Sequence, residues 1–135
     1  MDAAINPLLA GWDGPFGLPP FSRIHPEHFR PAFAHAMRAH RDELAGIGSQ
    51  SAEPTFENTM AAFDATGRLL SSLEALFHNL TASATNEALQ AVQREMAAPL
   101  AAHWSAVYMD DALFNRIDRL HAARESLDLS AEQRR

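Results

Sequence analysis

Seven histidines in 135 residues are the residues here that first suggest chemistry. A zinc site needs three or four His, Cys or carboxylate ligands converging on one point at about 2.0 to 2.3 Å, and their spacing does not provide one. His25 and His28 flank a Pro-Glu turn, His35 and His40 stand five apart on a helical stretch and so diverge, and His78, His103 and His121 belong to three separate segments. Each reads as a surface or hydrogen-bonded structural histidine. A di-iron bundle would want two Glu-x-x-His motifs, and the nearest match is Asp118 followed by His121. No Gly-rich phosphate loop, GxSxG elbow or HExxH occurs, and without cysteine there is no thiolate nucleophile. Thr55, Asn58 and Thr59 form a polar group that N-capping explains. Trp12 and Trp104 read as packing residues rather than substrate platforms. The residues therefore assign no catalytic, cofactor-binding or metal-binding position.

Composition narrows the class further. The chain is 47% hydrophobic and 21% charged with a formal net charge of -6, values typical of a folded domain. All eleven basic residues are arginine, dispersed among seventeen acids, so no basic stripe follows a phosphate backbone and nucleic acid is excluded as a partner. No apolar run approaches the roughly 20 residues that cross a bilayer, so no membrane is expected. The Pro- and Gly-interrupted N-terminus, which carries an acid early, does not read as a signal peptide. The lack of cysteine suits a reducing compartment and makes the cytoplasm the expected location.

The elements that would position any site are helical. Residues 1–25 hold Pro7, Gly11, Gly14, Pro15, Gly17, Pro19 and Pro20, punctuated by Leu8, Leu9, Trp12, Phe16, Leu18 and Phe21, which predicts an extended arm lying in a groove by its apolar anchors. From about Glu27 to Ile47 the spacing of Phe29, Phe33, Ala36, Met37, His40, Leu44 and Ile47 predicts a helix with one buried face. A second helix starts at Thr55, with Glu57 in its first turn, and carries Phe56, Met60, Phe63, Gly67, Leu70, Glu74 and Phe77 on one ladder beside Leu69, Leu73, Leu76 and Leu80 on the next. A third, from about Glu87 to Tyr108, is capped by Thr85 and is expected to kink near Pro99. A fourth, capped by Asp110 or Asp111, carries Leu113, Phe114, Ile117, Leu120 and Leu127 and stops near Leu127. Ser130 with Gln133 matches a capping box that would open a fifth. Phe63, Leu70, Leu73, Phe77, Leu100 and Trp104 are expected to be largely buried.

The expected fold class is thus all-α: an antiparallel bundle of about four helices, residues 26–135, with an extended N-terminal arm, residues 1–25, and an expected truncation at the start of a fifth helix.

The order of certain segments is more specific than any of these patterns. NPLL at Asn6–Leu9, LPPFSRIHPEHFRPAF at Leu18–Phe33, PTFENTM at Pro54–Met60, FHNLTASATNEALQ at Phe77–Gln90 and YMDDALFNRIDRLHAARESLDLSAEQRR from Tyr108 onward together resemble the opening of the thimet oligopeptidase family of zinc metallopeptidases. The nearest branches are peptidyl-dipeptidase and oligopeptidase A. The resemblance implies an all-helical shell around a deep channel, with zinc held by the HExxH histidines and a later glutamate, positions that this sequence does not contain. It implies that these helices are a non-catalytic wall or lid of the channel, restricting entry to short peptides by shape. Zinc would then reside in the parent protein and not in this region. Its partners would be the remainder of the peptidase chain and, through that, short peptide substrates. The residues alone leave open a free-standing helical module that binds a partner helix or peptide in a groove. Isolated, the region is expected to self-associate through its Leu/Phe stripes, with the arm 1–21 docked across a second copy.

Overall fold

The computed structural model describes residues 6–135, and among them every regular element is helical. Helix α1 (Phe29–Gly48) is entered through a 3₁₀ turn at Pro26–His28, where the His25 N–H donates to His28 Nδ1 at 3.0 Å. Pro31 lies in the first turn of α1, where its missing N–H costs nothing. The face from Phe29 to Ile47 expected from the three-four spacing is the buried one.

The second helix begins at Thr55 as expected, but it is not one helix. Thr55 and Asn58 cap each other: the Asn58 N–H donates to Thr55 Oγ1 at 3.0 Å, and the Thr55 N–H donates to Asn58 Oδ1 at 2.7 Å. Phe56–Ala61 is then π-helical, and α2 (Ala62–Asp64) is a single turn. The chain bends at Gly67 before α3 (Arg68–Ser83). Gly67 has φ +67, a left-handed conformation that only glycine adopts without strain. The ring of His40 lies against it so closely that a Cβ there would be 2.8 Å from His40 Cε1. A helical ladder running through Gly67 is therefore replaced by a break that seats an imidazole. Phe63, upstream of the break, is only half-buried.

Helix α4 (Glu87–Tyr108) has the expected bounds and runs through Pro99 as one element. Its cap is Asn86 rather than Thr85, with the Leu89 N–H donating to Asn86 Oδ1 at 2.9 Å. Helix α5 (Asp111–Ala123) is capped by Asp110, whose Oδ1 accepts from the Leu113 N–H at 2.8 Å. It ends at Ala123, short of Leu127, and passes into a 3₁₀ turn at Arg124–Ser126. Its buried stripe is Leu113, Arg116 and Leu120, one step around the helix from Phe114, which is exposed. Ser130 and Gln133 make both bonds of a capping box.

The fold is organised on α1, against which α3, α4 and α5 all pack. The larger apolar cluster joins α1, α3 and α4 around Phe29, Phe33, Leu70, Leu73, Phe77 and Val92. The Phe77 ring stands 4.8 Å from that of Phe29 and 5.5 Å from that of Phe33, the latter edge-on. Leu100 and Trp104, expected to be largely buried, lie half-buried at its margin. A smaller cluster of Leu44, Ile47, Val107 and Leu113 joins the far ends of α1 and α4 to α5.

Only part of the arm docks. Asn6 Nδ2 donates to the His28 carbonyl at 2.9 Å, Leu8 is buried, and Leu9, Trp12 and Ile24 pack on the larger cluster. Phe16, Leu18 and Phe21, expected to be anchors, are exposed. Phe16 and Gly17 both take positive φ after Pro15, which curls this stretch instead of extending it along the bundle. The first five positions of the expected arm lie outside the described residues.

Candidate functional site

Two polar groups interrupt the apolar packing. One sits where α1, α4 and the Gly67 turn meet. His40 is part of the buried stripe of α1 and His103 of that of α4, and His40 Nδ1 lies 3.0 Å from His103 Nε2. Bond counting fixes both tautomers. The Thr66 hydroxyl spends its one proton on the Phe63 carbonyl at 2.7 Å, so at 3.2 Å from His40 Nε2 it accepts. His40 Nε2 therefore carries the proton and its Nδ1 accepts from His103 Nε2–H. That leaves His103 Nδ1 as an acceptor, and it faces Arg41 Nη1, which only donates, at 3.5 Å. The two ends of the chain of bonds require the same proton order: Arg41 to His103 to His40 to Thr66 to the Phe63 carbonyl.

Surrounding groups secure this arrangement. The Gly67 N–H donates to Glu43 Oε2 at 2.7 Å, and the Trp104 ring stands at steep angles to both imidazoles, with centroids 5.4 and 5.7 Å away, while its Nε1 donates to Glu74 Oε1 at 3.2 Å. Burial lowers the pKa of His40 below the ordinary 6.5, against the opposing pull of Glu43 and Glu74. Burial likewise lowers that of His103, helped by the charges of His40 and Arg41.

The second polar group is built on Arg116, buried in α5. Its Nη1 donates to the carbonyls of Gln50 and Ala52 at 3.1 and 3.0 Å, and its Nη2 donates to Asn58 Oδ1 at 3.0 Å and Thr59 Oγ1 at 3.4 Å. Thr55, Asn58 and Thr59 thus cap a helix and also receive a guanidinium. Sequence reasoning missed both groups as groups. Their signal was a polar residue on an apolar stripe: Arg116 between Leu113 and Leu120, His103 between Leu100 and Val107.

Of the other histidines, His25 and His28 have ring centroids 5.4 Å apart, and His35 is half-buried on α1. His78, His121 and His25 are exposed, and His28 is engaged with the backbone of His25. Asp118 is also exposed. Among the described residues no three His, Cys, Asp or Glu side chains are placed to hold a metal ion. Zinc does not fit the His40–His103 pair, because their facing nitrogens share a proton and the outer ones are engaged by Thr66 and Arg41. Both groups fasten elements together: His40 and His103 join α1 to α4, and Arg116 joins α5 to the 50–52 linker and the π-helical turn. No helix among the described residues is long and apolar enough to cross a membrane.

No protein-family model matches the chain. Over 130 residues, 96% of its length, it is 39% identical to the dipeptidyl carboxypeptidase of Salmonella typhimurium, and over 128 residues, 95% of its length, 36% identical to that of Escherichia coli. Over 75 residues, 53% of its length, it is 39% identical to oligopeptidase A of Escherichia coli. The matches cover 19%, 19% and 10% of those proteins, so the chain spans about a fifth of the length of the dipeptidyl carboxypeptidases it matches. Along nearly all of its sequence the chain is thus similar to part of the dipeptidyl carboxypeptidases, and along about half of it to part of oligopeptidase A, in keeping with the resemblance carried by its segments.

Proposed function

We propose that this chain is the non-catalytic N-terminal helical region of a zinc-dependent, peptidyl-dipeptidase-like oligopeptidase, and that it forms part of the channel wall or lid that limits substrates to short peptides. The observation that carries the reading is 39% identity over 96% of the chain to one fifth of a dipeptidyl carboxypeptidase. The polar groups described above support it, since both hold helices in place and neither is arranged for catalysis. The exposed Phe16, Leu18 and Phe21 offer apolar surface that the remainder of such a peptidase, or a second copy of the isolated chain, would cover. Zinc and the general base belong to that remainder, and the cytoplasm is its proposed location.

The test is to assay the purified chain alone and then combined with a separately purified catalytic remainder, using peptides of increasing length. Alone it should hydrolyse nothing and retain no stoichiometric zinc after dialysis. Combined, it should restrict chelator-sensitive cleavage to short peptides. Activity in the pure chain, or a length profile that its addition leaves unchanged, overturns the reading and favours a free-standing binding module.

A further inference from the structure

The proton order through His103 and His40 has a direction, and both of its inner acceptors are committed. His40 Nδ1 accepts from His103, and His103 Nδ1 faces the Arg41 guanidinium. The charged groups around the pair are Arg41 and Glu43 on α1, Glu74 on α3, and Asp110, which lines a hollow of about 150 Å³ beside His103 together with Arg41 and Val107. Glu43 and Glu74 favour a positive charge on His40. A first added proton therefore settles on His40 Nδ1, which must then donate to His103 Nε2. That reverses the bond and moves the His103 proton to Nδ1, against the guanidinium of Arg41. A second proton sets two N–H groups against each other across 3.0 Å. Both strained contacts, Arg41 with His103 and His40 with His103, run between α1 and the C-terminal half of α4.

The other half of α4 is tied differently. Arg30 of α1 grips Glu95 of α4 with two hydrogen bonds, through Nε and, at 2.8 Å, through Nη2. Arg30 holds the Glu95 carboxyl below the usual carboxylate value of 4.5, so this tie persists in mild acid.

We infer that the His40–His103 pair is an acid-operated joint: it fastens the C-terminal half of α4 to α1 at neutral pH and releases it in mild acid, while the Arg30–Glu95 end stays closed. The sign follows from linkage. A histidine held neutral in the fold contributes stability that is complete above its unfolded pKa, near 6.5, and is lost as the pH falls from there toward the folded pKa. Release carries Val107 and the Asp110 cap of α5 with it and opens the hollow beside His103.

Two measurements on the 135-residue chain test this. Long-range nitrogen–proton NMR of the imidazoles at pH 7.5 should show both His40 and His103 protonated at Nε2, and an Nδ1–H form of either overturns the proton order and the proposal. Amide hydrogen exchange, corrected for intrinsic rates, should lose protection on the order of tenfold at 104–108 between pH 7.5 and 5.0. Protection at 89–96 should hold. In His103→Gln, whose amide can donate to neutral His40 Nδ1 or accept from the protonated ring without titrating, the step should shrink to the share that burial of His40 alone contributes. Equal loss along all of α4, or a step undiminished in His103→Gln, overturns the joint. If His103→Gln does not fold, the tautomers and the contrast between the two halves of α4 in the unaltered chain decide.

Discussion

Phe77 and Arg116 lie at similar depth, 3% and 5% exposed, in surroundings of opposite kind. Phe77 is enclosed by other aromatic and aliphatic side chains from α1 and α3, and its neighbours would close around any comparable hydrocarbon. Arg116 meets two carbonyls of the 50–52 linker, an amide and a hydroxyl, each at a fixed angle. The apolar region supplies most of the stabilisation without specifying direction. The polar region adds little net energy but determines where the linker and the π-helical turn must sit relative to α5, because its bonds are lost if either moves.

Three substitutions test that contrast. Phe77→Ala should cost about 3 to 5 kcal/mol of global stability by chemical denaturation. A loss below about 1 kcal/mol would mean that the α1–α3–α4 cluster is not what holds the bundle. Arg116→Met keeps the apolar stem but removes the donors, and should cost about 1 to 3 kcal/mol by orphaning the Gln50 and Ala52 carbonyls. Its amide-exchange losses should centre on 50–61 and α5, and uniform losses would show that the two regions do not differ as described. Phe16→Gly should change stability by no more than about 0.5 kcal/mol, since Phe16 is 97% exposed at φ 62. A larger loss would reveal that this stretch is packed after all.

Much of the bundle was legible in the sequence for the same reason that the apolar region is directionless. Three-four spacing reports which face is buried whatever it meets, so the bounds of α4, the inward face of α1 and the burial of Leu70, Leu73 and Phe77 could be read without knowing their partners. Where geometry depended on a particular partner, the reading failed. Gly67 fitted a helical ladder as well as its neighbours did, and only the His40 ring explains the break. Phe114 lay close enough to the stripe of α5 to be counted with it, although Arg116 was the residue turned inward. The pairing of His40 with His103 could not be inferred from either local sequence. As for the candidate site, the polar residues on apolar faces were visible, but their convergence was not.

Helix α1 precedes in the chain the other helices that assemble on it, and follows only the docking arm. Its apolar face must wait for Phe77 and Val92, and His40 waits for a partner 63 positions later. At a synthesis rate of about 5 to 20 residues per second, that interval lasts on the order of several seconds. During it the newborn chain presents Phe29 and Phe33 to its surroundings with only the docking arm to cover them. The order of the helices along the chain therefore makes early synthesis the period of greatest exposure to aggregation, and the moment at which a chaperone would find most to bind.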